Sequence, residues 1–177
     1  MTNSTATASA RRQDIFAAIE QFESAYDYDA SYMRDLYERS PAAFGLFDAA
    51  RRMAAYFDAL PAAAHFVAAI TVMQHEDCGP CLRLNEKLAM EAGVRREVLD
   101  ALAAEPAALP AELQDVRSYT TGVLSGQVDE AVAARIESQW GPAALAELAI
   151  GIVGARMYPT IKRALLKAGA CELPRVS

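Results

Sequence analysis

Residues 11–26, RRQDIFAAIEQFESAY, place Ile15, Phe16, Ile19 and Phe22 on one stripe of a helix. The same helical period governs the rest of the chain, and no segment alternates apolar and polar residues with the period of two that a half-buried strand needs. An all-α fold follows. DYDASYMRDLYERS reads as a shorter, weaker helix. Pro41 opens PAAFGLFDAARRMAAYFDAL and Pro61 opens PAAAHFVAAITVMQHED, since proline suits the first helical position. PCLRLNEKLAMEAG closes at Gly93 as a C-cap, VRREVLDALAAE is a short helix and PAALP a loop. AELQDVRSYTTGVLSG then ends near Gly126, and DEAVAARIESQW aligns Val132, Ile136 and Trp140. In GPAALAELAIGIVGARMY, Gly151 and Gly154 lie about a turn apart, where small residues let a neighbouring helix approach. Pro159 is expected to break or kink the helix before TIKRALLKAG completes it.

The composition supports this reading. Apolar residues make up 53% of the 177, alanine foremost, and Ala loses no side-chain entropy in a helix. The length suits one all-helical domain over residues 10–177, preceded by a disordered tail over residues 1–9. Net charge is −6, and the basic residues occur singly or in pairs, so a nucleic-acid partner is not expected. No apolar run predicts a membrane span, and MTNSTATASARR lacks the apolar core of a secretory signal. A cytoplasmic protein without a membrane partner is the expectation. Tyr26, Tyr28, Tyr32 and Tyr37 with Met33 form an aromatic cluster expected in packing, and Cys171 reads as a lone free thiol.

Chemistry concentrates in QHEDCGPC, residues 74–81. CGPC is the inner sequence of a thioredoxin active site, but thioredoxin holds it in a βαβ frame, and here helix precedes and helix follows. Three cysteines in a cytosolic chain are not a structural disulfide framework, and a C-x-x-C there points to catalysis or a metal. With Cys78 at the start of a helix and Cys81 one turn in, the sulfurs share a side within disulfide reach. Pro80 sets the first turn, and Gly79 is expected to permit the sharp entry. The helix N-terminus favours a thiolate at Cys78; Glu76 and Asp77 oppose it, and a protonated His75 would oppose them in turn. A zinc site would need a second arm, for which the chain offers only His65, His75 and Cys171. Buried cysteines without chemistry are the other alternative.

The long apolar helix ending in C-x-x-C, the next helix ending EAGV and the short REVLDAL segment, residues 68–102 together, resemble the alkylhydroperoxidase D-like proteins of the carboxymuconolactone decarboxylase superfamily. GPAALAELAIGIVGARMYPTIKRALL is similar to that family's closing helices. The resemblance implies a helical homo-oligomer without an organic cofactor. It also implies a thiol–disulfide oxidoreductase that reduces a hydroperoxide or other small-molecule substrate and is restored by a dithiol reductant or reductant protein. By position, Cys81 would attack the peroxide and Cys78 would resolve it as a disulfide. The family's proton-relay Glu and His fall on Phe66 and Asn85. Asn85 can hold a hydrogen bond or a water but is no general base near neutral pH. His75 and Glu76 are then the nearest groups for proton transfer, and His65 adjoins the missing Glu position about 100° around the helix. The candidate catalytic set is Cys78, Cys81, His75, Glu76 and Asn85. A lyase on the same fold and a redox-sensing, non-enzymatic oligomer are the alternatives.

Overall fold

The computed structural model describes residues 2–167, with side chains from residue 9 onward. The described residues form nine α-helices and no strand: α1 (Thr2–Tyr26), α2 (Ser31–Arg39), α3 (Pro41–Ala55), α4 (Ala62–His75), α5 (Gly79–Glu91), α6 (Arg96–Ala104), α7 (Ala111–Ser125), α8 (Glu130–Trp140) and α9 (Pro142–Ala164). One 3-10 turn, Pro106–Ala108, joins α6 to α7. The backbone is helical from Thr2, where composition suggested a tail over residues 1–9.

The chain groups into two compact units, Met1–Phe47 and Asp48–Ser177. The physical reason is that the first unit carries a core of its own. Tyr37 sits edge-on to Phe16 and Phe44, with ring centroids 5.7 and 5.4 Å apart, and Tyr32 is edge-on to Phe47 at 6.3 Å. Tyr28, Tyr32, Met33 and Tyr37 are buried, so the tyrosine cluster packs a core. Glu23 ties the α1–α2 turn by accepting the Ala30 N–H at 2.8 Å and both terminal nitrogens of Arg34 at 2.7 and 2.8 Å.

The second unit is built around α4, which is buried from Ala64 through Met73. Val67 and Ile70 of α4 join Leu102 of α6, Val116 of α7, Ile136 of α8 and Leu148 of α9 in one apolar cluster. Each such side chain stabilises the fold by about 1.5–3 kcal/mol on burial. Val132 and Ile136 are buried on the predicted stripe of α8, with Trp140 packed at its edge. Gly93 has φ +83° and follows α5 in the left-handed conformation that glycine adopts without strain.

Three expectations need correction. α3 stops at Ala55 rather than running on to Leu60. The released segment is held elsewhere: the N–H groups of Asp58, Ala59 and Leu60 all donate to the buried carboxylate of Glu147 on α9. Pro159 does not break α9, which continues to Ala164. Pro159 is fully buried there, and packing outweighs the roughly 3 kcal/mol that an internal proline costs an isolated helix. Finally, α9 is long and apolar enough to cross a membrane. One face of it packs inside through Leu148, Ile152 and Ala155, and Glu147 and Lys162 are buried against protein partners, while Ile150 and Val153 are exposed.

Candidate redox site

α4 ends and α5 begins within a few residues, and that junction shapes the site. Glu76 N–H donates to Val72 O at 2.9 Å and Cys78 N–H to Met73 O at 3.1 Å, closing the end of α4. Between them Asp77 takes φ +49°. Asp77, not Gly79, makes the sharp entry, because a short polar side chain tolerates the left-handed region. Gly79 is the first residue of α5, Pro80 lies in its first turn, and Cys78 is its N-cap. Leu82 N–H donates to Cys78 O at 2.9 Å. This places the two cysteines one turn apart with Cα atoms 5.3 Å from each other, and they form a disulfide. Both are buried, at 1% and 2% exposure, so bulk water is kept from the pair.

The groups around the bridge come from both ends of the second unit. Asn85 donates from Nδ2 to Cys81 O at 2.8 Å, tying its side chain to the first turn of α5. Glu76 is buried and takes two guanidinium groups from α9, Arg156 Nε at 2.6 Å and an Arg163 terminal nitrogen; Arg163 also donates to Glu76 O at 3.0 Å. Burial pushes the Glu76 carboxyl up, but the hydrogen bonds and charges of Arg163 and Arg156 more than offset it and hold the group below its ordinary value. A carboxylate so engaged acts as a clamp between α4 and α9. His75 is exposed.

Lys162, in the last turn of α9, is fully buried and donates from Nζ to Cys81 Sγ at 3.4 Å. Lys162, Arg156 and Arg163 were missed in the sequence. Each lies some eighty residues from its partner at the C-x-x-C, and only the packing of α4 against α9 brings them there. Phe66, where the resemblance would place a relay Glu, is buried in the apolar cluster. His65 stacks on Phe57 with centroids 4.5 Å apart and packs as a core side chain. Burial pushes its imidazole down, against a backbone hydrogen bond at Ala54 and the charge of Glu147. Among the described residues no three His, Cys, Asp or Glu side chains gather as a metal site, and Cys171 lies outside the described residues. A groove of about 290 Å³ lined by Pro61, Val94, Arg95 and Trp140 includes neither cysteine.

The clamp has a measurable signature. Because the folded Glu76 carboxyl is held low, its contribution is complete above the unfolded carboxylate value of about 4.3 and is lost as pH falls through the lower folded value. Glu76→Gln is expected to cost about 1–2 kcal/mol at neutral pH, limited by the half-exposure of both arginines. It should also flatten the loss of stability below pH 4 in urea denaturation, and an unchanged acid limb would show that the clamp contributes nothing.

No family model, curated protein or solved structure matches the chain.

Proposed function

We propose that the protein is a thiol–disulfide oxidoreductase of the alkylhydroperoxidase-like kind, cycling the Cys78–Cys81 pair between dithiol and disulfide. One observation carries the reading: a C-x-x-C disulfide buried across the first turn of α5, at the positive end of a helix. Such a position favours the thiolate that both halves of the cycle need. In the oxidative half, one thiolate attacks the terminal oxygen of a hydroperoxide. The S–O bond forms, the O–O bond breaks, and the alkoxide takes a proton from water and leaves as the alcohol. The second cysteine then attacks the sulfenic sulfur, forming the disulfide and releasing water. In the reductive half, an external dithiol breaks the S–S bond through a mixed disulfide and leaves oxidised. Burial of both sulfurs favours a small substrate. Assembly into a homo-oligomer belongs to the same reading and is measured by sedimentation.

The test is consumption of tert-butyl hydroperoxide with dithiothreitol as reductant. Cys78→Ser and Cys81→Ser should each reduce turnover by about 100-fold or more, and the double substitution should cost no more than either alone, as for residues that act as a unit. Undiminished turnover in the double variant, or none in the unaltered protein, would remove the proposal.

A further inference from the structure

We propose that Lys162 makes Cys81, rather than Cys78, the thiolate-bearing sulfur of the pair, a role that rests on the redox cycle proposed above. Lys162 Nζ donates to Cys81 Sγ at 3.4 Å, and its side chain is fully buried. A disulfide sulfur is only a weak acceptor. Reduction changes that, because Cys81 then supplies a negative charge in direct contact with the ammonium, in surroundings that screen it little. Lys162 therefore interacts more strongly with the reduced, ionised pair than with the disulfide. That difference favours the Cys81 thiolate and raises the oxidising power of the bridge.

Among the described residues, the other charged groups at this end of the unit do not reverse the assignment. Glu76 of the α4 terminus is already bound by Arg156 and Arg163 of α9, and His75 faces solvent. Asp77 lies in the connecting turn on the Cys78 side of the pair in sequence. The α5 N-terminus favours a thiolate at either cysteine. Among the described residues, direct contact with a cation separates the two, and it belongs to Cys81.

The same sulfur then serves both directions of the cycle. In reduction an external thiolate attacks Cys78 Sγ, the S–S bond breaks, and its electron pair leaves on Cys81 Sγ beside Lys162. The second thiol of the reductant resolves the mixed disulfide on Cys78, leaving as a disulfide. In oxidation the Cys81 thiolate is the nucleophile toward the peroxide oxygen. Lys162 supplies by charge what the residues at Phe66 and Asn85 do not: a thiolate ready at neutral pH without a general base to generate it.

The experiment measures the rate of iodoacetamide alkylation of Cys81 against pH in the reduced Cys78→Ser protein, with the labelled peptide resolved by mass spectrometry so that Cys171 does not interfere. The midpoint should lie at least about one pH unit below the ordinary cysteine value of about 8.5. Adding Lys162→Met should raise the midpoint by about one unit or more, while Lys162→Arg should retain most of the depression. In the unaltered pair, Lys162→Met should shift the equilibrium with glutathione at least tenfold toward the disulfide, about 30 mV to more negative potential. An ordinary midpoint with Lys162 in place overturns the assignment, even if Lys162→Met fails to fold; so does an equal midpoint in the folded Lys162→Met protein. Neither measurement uses a hydroperoxide. A depressed midpoint without peroxide turnover upholds Lys162 and removes the proposed function, and turnover with an ordinary midpoint does the reverse.

Discussion

Glu147→Ala is expected to lower the unfolding free energy by about 3–5 kcal/mol, enough to threaten a domain of ordinary stability. The carboxylate is 5% exposed and collects three backbone donors, Asp58 N–H at 3.0 Å, Ala59 at 2.8 Å and Leu60 at 3.0 Å. These residues lie between α3 and α4, where no helical partner is available to them. Hydrogen bonds to a charged acceptor are worth about 1.5–3 kcal/mol each, and removing the acceptor leaves partly buried donors without it. Glu147→Gln keeps one carbonyl oxygen and should fall between the two proteins. The pH dependence has a definite sign. Burial pushes the Glu147 carboxyl up, but the N–H groups of Ala59, Asp58 and Leu60, with the charge of His65, hold it below its ordinary value. Its stabilisation is therefore complete above about pH 4.3 and disappears as pH falls through the lower folded value. Urea denaturation at pH 7 and pH 3.5 checks both parts. A loss under 1 kcal/mol for Glu147→Ala at pH 7 would mean that water replaces the carboxylate at little cost.

The contrast between Glu147 and the cysteines shows where sequence is informative. The C-x-x-C and its helix start are local: Cys78 and Cys81 are brought together by one turn of backbone, so spacing alone placed both sulfurs on one side. Gly93 was legible for the same reason, because a helix end needs a left-handed residue within the next few positions. The all-α class was legible because the apolar stripe repeats along the whole chain. Glu147 had no such signal. An acidic residue in an apolar helix has no local partner, and the loop it holds, YFDALP, has a composition that a helix would accept equally well. Lys162 was hidden similarly, inside TIKRALLKAG, where a basic residue near a helix C-terminus suggests a dipole partner. The lesson from Asp77 differs. The motif's glycine, Gly79, points to a sharp turn, whereas Asp77, one residue before Cys78, adopts the positive φ.

Gly154→Val should destabilise the second unit by about 3 kcal/mol or more, while Gly151→Ala should leave it unchanged or slightly more stable. The two glycines lie on the same helix, yet they meet different surroundings. A Cβ on Gly154 would fall on the Ala54 backbone nitrogen and within 2.7 Å of Ala54 Cα and Met53 C. Backbone atoms at the end of α3 do not rotate aside, so one of the two helices must move. A Cβ on Gly151 would stand 3.8 Å from His65 Nδ1, an ordinary contact. Replacing an internal helix glycine by alanine gains up to about 1 kcal/mol in propensity. At Gly151 nothing opposes that gain. At Gly154 overpacking of about 1–3 kcal/mol exceeds it already for alanine, and valine adds a branched side chain where alanine does not fit. Thermal or urea unfolding of the three variants decides the matter: equal stability of Gly151→Ala and Gly154→Ala would show that α9 does not approach the α3 backbone closely. The approach also bears on the redox site. α9 carries Gly154 and Lys162 on one continuous helix, so a displacement forced at Gly154 should be felt at Cys81. In Gly154→Ala, provided it folds, the alkylation midpoint of Cys81 should move toward the ordinary cysteine value along with the loss of stability.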